Sequence, residues 1–490
     1  MTGMQVDFIS HACLKIEAGF GTLLCDPWFL NEPVANFVCW KFPLAVVPPD
    51  EVVAGVDYVF VTHCHEDHFH IPSIDHFPRD VTFLLPEYDH HPGLRAQTME
   101  ITLRRMGFFD IRKLRSWETV DLGAGARFTH IPSAKTRYHD WENAGFVLEA
   151  DGTSLLNMND NLTDAELAAE ITGRFPGGFD IGFIQAAGVS MYPGCFLMSE
   201  EEMRAETERR QISLADQRRM IELIGPRRIA PMAGDFGWFA DEHFHNNWAS
   251  RATPKIFRRL LENVYPDREI DLLEFLPGDR WSMETGLVST HPGIDWDNMV
   301  DMIAQAAETY RPKIEAIEAW IADTDRTDLA ARSRRFTARI AREICREGVD
   351  FSVRARHRIE GPDGGFDFVL AVSPETGFAI LWDDDGPVDQ TLHVPDRVWA
   401  AILAGKLLWT EIQWSAKSEQ HVEFRPDIAS FWFWIENNIG LNNKQVQALI
   451  DPRLHPDLPA GVDPTKGVFP LPGEWERVPG QAPLRRASGR

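Results

Sequence analysis

The stretch VDYVFVTHCHEDHFHIP, residues 56–72, joins a short apolar segment to a dense set of imidazole and carboxylate groups. The segment DYVFVT is rich in β-branched residues, which predicts a strand buried on both faces. His63, His65, Asp67 and His68 follow directly at its end. In a chain with 17 histidines among 490 residues, such a grouping arises by chance on the order of once in several hundred sequences. The stretch therefore predicts a metal site at the carboxyl end of a buried strand.

The spacing within this motif favours two ions. Residues two apart on an extended backbone point to the same side, so His63 and His65 can bind one ion. The next turn can direct Asp67 and His68 toward a second ion. Nitrogen and oxygen donors suit zinc, iron or manganese. Cys64 should point to the opposite side, and we interpret it as a packing residue.

Two ions need more donors than the motif supplies, and later segments offer them. His139 precedes a predicted strand, the chain reverses at Asp151-Gly152, and the returning strand leads to Asp160. Asp160 can bridge two ions, although a helix N-cap before LTDAEL is the alternative. The segment APMAGDFGWFADEHFH offers three further candidate ligands: Asp235, His243 and His245. For these three, an ordinary surface position is the alternative.

The pattern of predicted elements divides the chain. Strands and helices alternate to about residue 260, which is typical of a layered α/β domain, and we assign it residues 1–275. Residues 276–470 are predicted to form an α+β domain that caps or extends the first. Within it, residues 296–325 show one long amphipathic pattern, and five tryptophans are interpreted as core residues, with a substrate groove as the alternative: Trp399, Trp409, Trp414, Trp432 and Trp434. Residues 471–490 are rich in Pro, Gly and Arg and are predicted to be disordered.

Charge and cysteine content restrict the classes of partner and the cellular compartment that we expect. The formal net charge is −25, and such a surface repels nucleic acid and anionic lipid. A local group of basic residues can still attract a small anionic substrate, and Lys135, Arg137 and Tyr138, just before His139, are the candidate substrate-binding residues. The alternative for these three is a solvated loop. Six cysteines without paired spacing, no secretory leader and no run of about 18 apolar residues predict a cytoplasmic protein without a membrane span.

Seven stretches together resemble a known family: FISHACLKIE, LLCDPWFLNEPVANFVCW, DYVFVTHCHEDHFHIPSI, YHDWENAGFVLEADGTSLLNMND, PMAGDFGWF, LLWTEIQW and RPDIASFWFW. The HxHxDH motif after a strand resembles the metallo-β-lactamase fold, an αββα sandwich with a binuclear metal site. More specifically, the chain is similar to the CMP-N-acetylneuraminate hydroxylase family in the part that carries this fold.

The resemblance implies roles for individual residues. His63, His65 and His139 would hold one ion, Asp67 and His68 would hold the other, and Asp160 would bridge. The last ligand of the second ion would be His243, with His245 and Asp235 as alternatives. Asp67 and Asp160 are the candidate catalytic carboxylates.

The family joins this fold to a Rieske iron-sulfur centre, which requires C-x-H and C-x-x-H motifs. The sequence contains neither motif, so electrons would have to come from a separate donor, from the substrate or from a reductant acting on the metal site. We therefore expect a di-iron oxygenase that uses dioxygen to oxidise a small polar substrate. The alternative is a binuclear zinc or manganese hydrolase of an ester, amide or phosphoester, in which metal-bound water attacks. A third hypothesis is a binding protein that carries a metal, and the near-complete ligand set argues against it.

Overall fold

The computed structural model describes most of the chain up to Ile439. The described residues are 3–88, 98–134, 142–185, 191–211, 221–233, 236–240, 243–248, 253, 257–259, 261–262, 271–343, 349, 351–362, 364–419 and 426–439.

The first seventeen strands lie before residue 290. They are β1 (Gln5–Ser10), β2 (Cys13–Ala18), β3 (Gly21–Cys25), β4 (Cys39–Lys41), β5 (Tyr58–Phe60), β6 (Thr82–Pro86), β7 (Ile111–Leu114), β8 (Thr119–Gly123), β9 (Ala126–Ile131), β10 (Gly145–Ala150), β11 (Thr153–Asn159), β12 (Ile181–Gln185), β13 (Arg228–Met232), β14 (Phe236–Trp238), β15 (Asp271–Leu272), β16 (Arg280–Ser282) and β17 (Gly286–Val288). The described helices in the same part are α1 (Pro49–Val53), α2 (Ile71–Ile74), α3 (Thr98–Arg105), α4 (Ala165–Arg174) and α5 (Glu200–Gln211), with a 3₁₀ turn at His243–Asn247.

These strands form two large sheets. The first has the order β17-β16-β1-β2-β3-β5-β6-β7, and the second has the order β15-β13-β12-β11-β10-β9-β8. Strands β3, β5, β6 and β7 run parallel, as do β11, β12 and β13. Because the carboxyl ends of parallel strands meet at one edge of a sheet, the loops after β3, β5 and β11 can form one site.

The two sheets face each other across an aromatic core. The ring of Phe60 in the first sheet lies 4.9 Å from that of Phe128 and 5.4 Å from that of Phe146, both in the second. Val59, next to Phe60, belongs instead to the apolar layer on the other face, beneath α1, α2 and α3. Alternation along buried strands explains why these segments are apolar on both faces.

Helix α4 covers the outer face of the second sheet. Its buried Leu167 and Ile171 pack with Val147 and Leu156 of that sheet. With helices on both outer faces, the architecture is an αββα sandwich, and the predicted fold is confirmed.

The first sheet extends past residue 275, where the sequence placed the end of the first domain. Strand β16 pairs with β1, and β17 pairs with β16, so residues up to Val288 belong to this sheet. The division into domains otherwise stays a prediction. The predicted tail at 471–490 lies outside the described residues.

The single amphipathic pattern at 296–325 forms two helices, α6 (Met299–Thr309) and α7 (Arg311–Ala322). Pro312 falls in the first turn of α7, where its missing N–H costs nothing, whereas it would interrupt a continuous helix. Both helices pack on the first part of the chain through an apolar cluster that contains Trp40 and Phe239, whose rings stack at 4.8 Å.

The rest of the described C-terminal part is a five-stranded sheet with helices. Its elements are α8 (Leu329–Glu343), β18 (Val353–Glu360), β19 (Phe366–Ser373), β20 (Gly377–Trp382), β21 (Gln390–Pro395), α9 (Asp396–Leu403), α10 (Ile412–Ser415), β22 (Lys417–Ser418) and α11 (Pro426–Ile439). The sheet order is β20-β19-β18-β21-β22. Four of the five tryptophans singled out in the sequence lie in its buried core: Trp399, Trp409, Trp432 and Trp434. The fifth, Trp414, is partly buried against a cluster around Trp28 and Trp238.

One buried asparagine connects the two parts. The side chain of Asn36 donates hydrogen bonds to the carbonyl oxygens of Leu408 (3.1 Å) and Glu411 (2.9 Å) and to the hydroxyl of Ser415 (2.7 Å), and it accepts one from the Leu408 N–H at 2.9 Å. Asn36 has a positive φ of 55°, a conformation that asparagine tolerates better than most residues. The polar side chain therefore fixes the C-terminal part against the first.

His357 lies at the centre of the C-terminal core. Its Nε2 accepts a hydrogen bond from Trp409 Nε1 at 3.1 Å, and its ring stacks on Phe368. Burial lowers the pKa of His357 to about 3. The folded ring is therefore neutral, whereas an unfolded histidine takes up a proton near pH 6.5.

We expect this histidine to make the protein sensitive to acid. The neutral ring makes its full contribution to stability above pH 6.5, and this contribution is lost as the pH falls toward 3. At pH 5 the free energy of unfolding is therefore lower by about 2 kcal/mol. Urea unfolding at pH 7 and pH 5, compared with His357→Gln, which keeps an acceptor for Trp409 but does not titrate, measures the effect. An equal pH dependence of stability in wild type and in His357→Gln would contradict this role of His357.

The described cysteines are all buried, and no disulfide joins any two of them. They are Cys13, Cys25, Cys39, Cys64 and Cys195. Burial raises the pKa of the Cys13 and Cys25 thiols. Within the described residues, no helix combines the length and the apolar character needed to cross a bilayer.

Candidate metal centre

The motif that follows β5 is fixed by a buried carboxylate from the neighbouring strand. Asp26, directly after β3, accepts hydrogen bonds from the backbone N–H of Thr62 at 2.8 Å and from its hydroxyl at 3.0 Å. The side-chain amide of Asn159, at the end of β11, donates to the same carboxylate. Asp26 therefore joins three strand ends and holds the motif at the edge of both sheets.

His63 and His65 face each other within the motif. Nε2 of His63 lies 2.8 Å from Nδ1 of His65, and Nδ1 of His63 lies 3.0 Å from the Thr62 hydroxyl. His63 is fully buried, whereas the side chain of His65 is 41% exposed. Nε2 of His65 lies 3.5 Å from a carboxylate oxygen of the buried Glu142. The two rings can direct one nitrogen each toward a shared ion.

His68 lies between carboxylates from three chain segments. Its Nδ1 is 3.2 Å from Asp26 Oδ2, and because an ionised carboxylate only accepts, Nδ1–H donates there. Its Nε2 lies 3.4 Å from Asp67 Oδ2 and 3.5 Å from Asp160 Oδ2. Among the described residues, no group makes a hydrogen bond with this buried Nε2 or with Oδ1 of Asp160. The convergence of this nitrogen with two carboxylates fits a metal ion.

The charged side chains around His68 strongly shift one another's pKa values. Burial opposes the charged form of His68, but Asp67, Asp160 and Asp26 outweigh it and hold the pKa of its imidazole well above the usual value. Burial likewise opposes the charged form of Asp67, but His68 and His11 outweigh it and hold the pKa of that carboxyl well below its usual range. Burial raises the pKa of Asp26, which its hydrogen-bond donors only partly offset. The site concentrates negative charge that a cation can neutralise.

Sequence reasoning missed His11. It lies in the turn between β1 and β2 with a φ of 48°, and its Nε2 is 3.3 Å from Asp67 Oδ2. Nothing in the spacing around it marks it as a site residue. The available signal was the stretch FISHACLKIE, which contains it and contributed to the family resemblance.

Two overlapping groups of side chains could hold ions. One consists of His63, His68 and Asp160, and the other of His11, Asp67 and His68; within each group the donor atoms lie within 4.8 Å of one another. All donors are nitrogen or oxygen, since Cys64 packs in the apolar layer beneath α1, α2 and α3. Such a set suits zinc, iron or manganese, and the residues present fit the expected metal centre.

Residues 22–232 match the family model of the Beta-lactamase superfamily domain. This part of the chain is similar to a beta-lactamase superfamily domain. The matched residues include the motif and Asp160, whereas His11, β16 and β17 lie outside them.

Two curated proteins are similar in sequence to this chain. A "Putative Rieske 2Fe-2S iron-sulfur protein" of Mycobacterium tuberculosis is 28% identical over 290 residues, which cover 55% of this chain and 49% of that protein. The cytidine monophosphate-N-acetylneuraminic acid hydroxylase of Danio rerio is 23% identical over 265 residues, 51% of this chain and 41% of that protein. The chain thus spans about half the length of the curated relatives it matches. These matches confirm the resemblance to the hydroxylase family.

A solved structure is also similar to part of this chain. The structure described as "a possible metal-dependent hydrolase" of Veillonella parvula is 15% identical with a TM-score of 0.40, and the match covers 58% of this chain and all of that one.

The structure brings part of the predicted ligand set together. His63, His65, Asp67, His68 and Asp160 meet at one edge of the αββα sandwich. Five predicted residues lie outside the described residues: His139, Lys135, Arg137, Tyr138 and Asp235. His243 falls in the 3₁₀ turn, but its side chain is outside the described part. His245 is buried beside Trp238, and it belongs to neither three-residue group. The assignment of ligands stays a prediction.

Proposed function

We propose that the protein is an iron-dependent oxygenase with two metal ions that oxidises a small polar substrate. The observation that carries the metal centre is the buried Nε2 of His68, which faces two carboxylates without a hydrogen bond in the described structure. The likeness to proteins named as hydroxylases favours oxygenation over other reactions of such a centre. A donor set of imidazole and carboxylate groups without a thiolate is compatible with iron.

The chain's own residues would hold and orient the metals. His63 and His65, with His139 as the resemblance implies, would hold one ion, Asp67 and His68 would hold the other, and Asp160 would lie between them. Two reduced irons, when bound, would supply dioxygen activation. Asp26 accepts a hydrogen bond from Nδ1–H of His68, which fixes the ring with its Nε2 toward the site and increases the basicity of that nitrogen.

Burial determines how a substrate would approach. His63 and His68 are fully buried, whereas the side chain of His65 is 41% exposed, so the approach from solvent would pass His65. The proposed contacts of Lys135, Arg137 and Tyr138 with an anionic group of the substrate remain predictions. A separate electron donor is part of the same proposal.

Hydrolysis at zinc or manganese would use the same ligands, and metal analysis separates the two reactions. The protein would be expressed in iron-supplemented medium, its metals counted, and the reduced protein exposed to oxygen in a stopped-flow spectrometer. We expect about two irons per chain and an absorbance change that depends on oxygen. Asp160→Asn, which nearly preserves the side-chain shape, is the matched control and should lose both signals. Tightly bound zinc with no response to oxygen, even after iron reconstitution, would instead identify a hydrolase.

A further inference from the structure

The turn that carries His11 is fixed at the same edge of the sandwich as the motif. The ladder between β1 and β2 is irregular at Phe8 and Ser10, and the chain then reverses through His11. The carbonyl oxygen of His11 accepts a hydrogen bond from the N–H of Ala233, just after β13, at 3.2 Å. The turn thus connects the first sheet to the second beside the metal centre.

The ring of His11 is held by aromatic neighbours. Its centroid lies 5.1 Å from that of Trp28 and 5.1 Å from that of Phe236, both at edge-to-face angles. Trp28 is itself fixed, because its indole N–H donates to the Glu32 carbonyl at 3.0 Å and the ammonium group of the buried Lys41 lies over its ring. A ring packed on two sides loses little freedom when it binds a ligand, so its donor atom is preorganised.

The Nε2 edge of that ring points at Asp67 in the metal centre. Nε2 of His11 lies 3.3 Å from Asp67 Oδ2, and Nε2 of His68 lies 3.4 Å from the same oxygen. His68 donates an Nδ1–H hydrogen bond to Asp26, which leaves its Nε2 directed toward the site. The donor atoms of His11, Asp67 and His68 all lie within 4.8 Å of one another, close enough for all three to bind one cation.

We propose that His11 is a direct ligand of the second metal ion, together with Asp67 and His68. Two imidazoles and one carboxylate on one side of an ion are a known arrangement in iron oxygenases, and they leave other coordination positions open. Within the described residues, His11 is the imidazole outside the motif that approaches Asp67, whereas His245 packs beside Trp238. The inference rests on the metal centre of the proposed function, and it holds for oxygenation and hydrolysis alike.

A pair of similar-sized variants distinguishes a ligand from a residue that only positions Asp67. His11→Gln keeps an N–H that can donate to Asp67 but is a poor metal ligand. His11→Glu offers a metal-binding carboxylate but loses the donor. Metal-free protein would be titrated with Zn²⁺, and ions bound per chain would be counted after equilibrium dialysis.

For wild type we expect two bound zinc ions. His11→Gln should bind the second ion more than ~100-fold more weakly, beyond the roughly 10–100-fold loss typical of residues that only position a ligand, and a smaller loss would contradict direct ligation. His11→Glu should recover part of the loss. Wild-type affinity in His11→Gln would overturn the proposal and leave the metal centre intact. Fewer than two ions in wild type would instead refute the binuclear centre itself.

Because His11 is buried, either variant could fail to fold, and circular dichroism would reveal it. A crystal structure of the wild-type protein with Zn²⁺ then shows, without any substitution, whether His11 binds the second ion directly. We expect His11 Nε2 within about 2.0–2.1 Å of the second ion, the usual zinc–nitrogen distance. A second ion bound with this nitrogen more than about 3 Å away would overturn the proposal.

Discussion

Metal content should fall below one ion per chain when Asp160 is replaced by alanine, and activity should disappear with it. Oδ2 of Asp160 lies 3.5 Å from His68 Nε2, and as the bridging carboxylate it would contribute to both ions. His63→Ala should likewise abolish binding, because this fully buried ring belongs to the group with His68 and Asp160. Mass spectrometry of metals after purification measures the result.

Both variants should stay folded, because the aromatic core between the sheets lies apart from the ligands. Their melting temperatures should match that of metal-free wild type. His291→Ala, which removes a histidine outside either group, is the matched control and should keep its full metal content. If His63→Ala or Asp160→Ala kept full metal content, the ligand assignment would be wrong.

Replacing Asn36 by glycine should destabilise the docking of the C-terminal part by about 3–5 kcal/mol. Glycine accepts the positive φ of this position, so the loss reports the hydrogen bonds rather than strain. The substitution leaves the buried C=O and N–H of Leu408 and the partly buried C=O of Glu411 without their partner, at roughly 1–3 kcal/mol each. Asn36→Ala should cost about 1 kcal/mol more, because an L-residue with a side chain resists the left-handed conformation.

Hydrogen exchange locates the effect. Amides of β18 and β21 should exchange faster in Asn36→Gly, while those of β10 and β11 should keep their protection. Asn246→Ala is the control, since Asn246 is also buried but bonds to the backbone of Trp238 within the first part. Loss of protection across both parts in Asn36→Gly would mean that the whole chain unfolds as one unit.

The fold could be predicted because its signals are local. The motif and its strand fall within one stretch of the chain, and alternation along β3 and β5 follows from the apolar runs themselves. The break between α6 and α7 could also have been predicted from Pro312, but the continuous amphipathic pattern around it concealed the boundary.

The surroundings of the site could not be predicted in the same way. Asp26, Asn159 and His11 are far apart in sequence, and only the order of the strands brings them to one edge. None of the three has a spacing that indicates its role, because a carboxylate after a strand or a histidine in a turn is common. Their arrangement depends on tertiary contacts that no window of sequence contains.

The buried thiols affect how well the protein would withstand oxidation. Under the proposed oxygenase function, oxidants would form beside the protein's own side chains, and cysteine oxidation begins from the exposed thiolate. Here Cys13 begins β2 and Cys25 ends β3, and burial keeps both as protonated thiols. Cys64, within the motif itself, packs among apolar side chains. Packing would thus shield these three sulfur atoms from such oxidants.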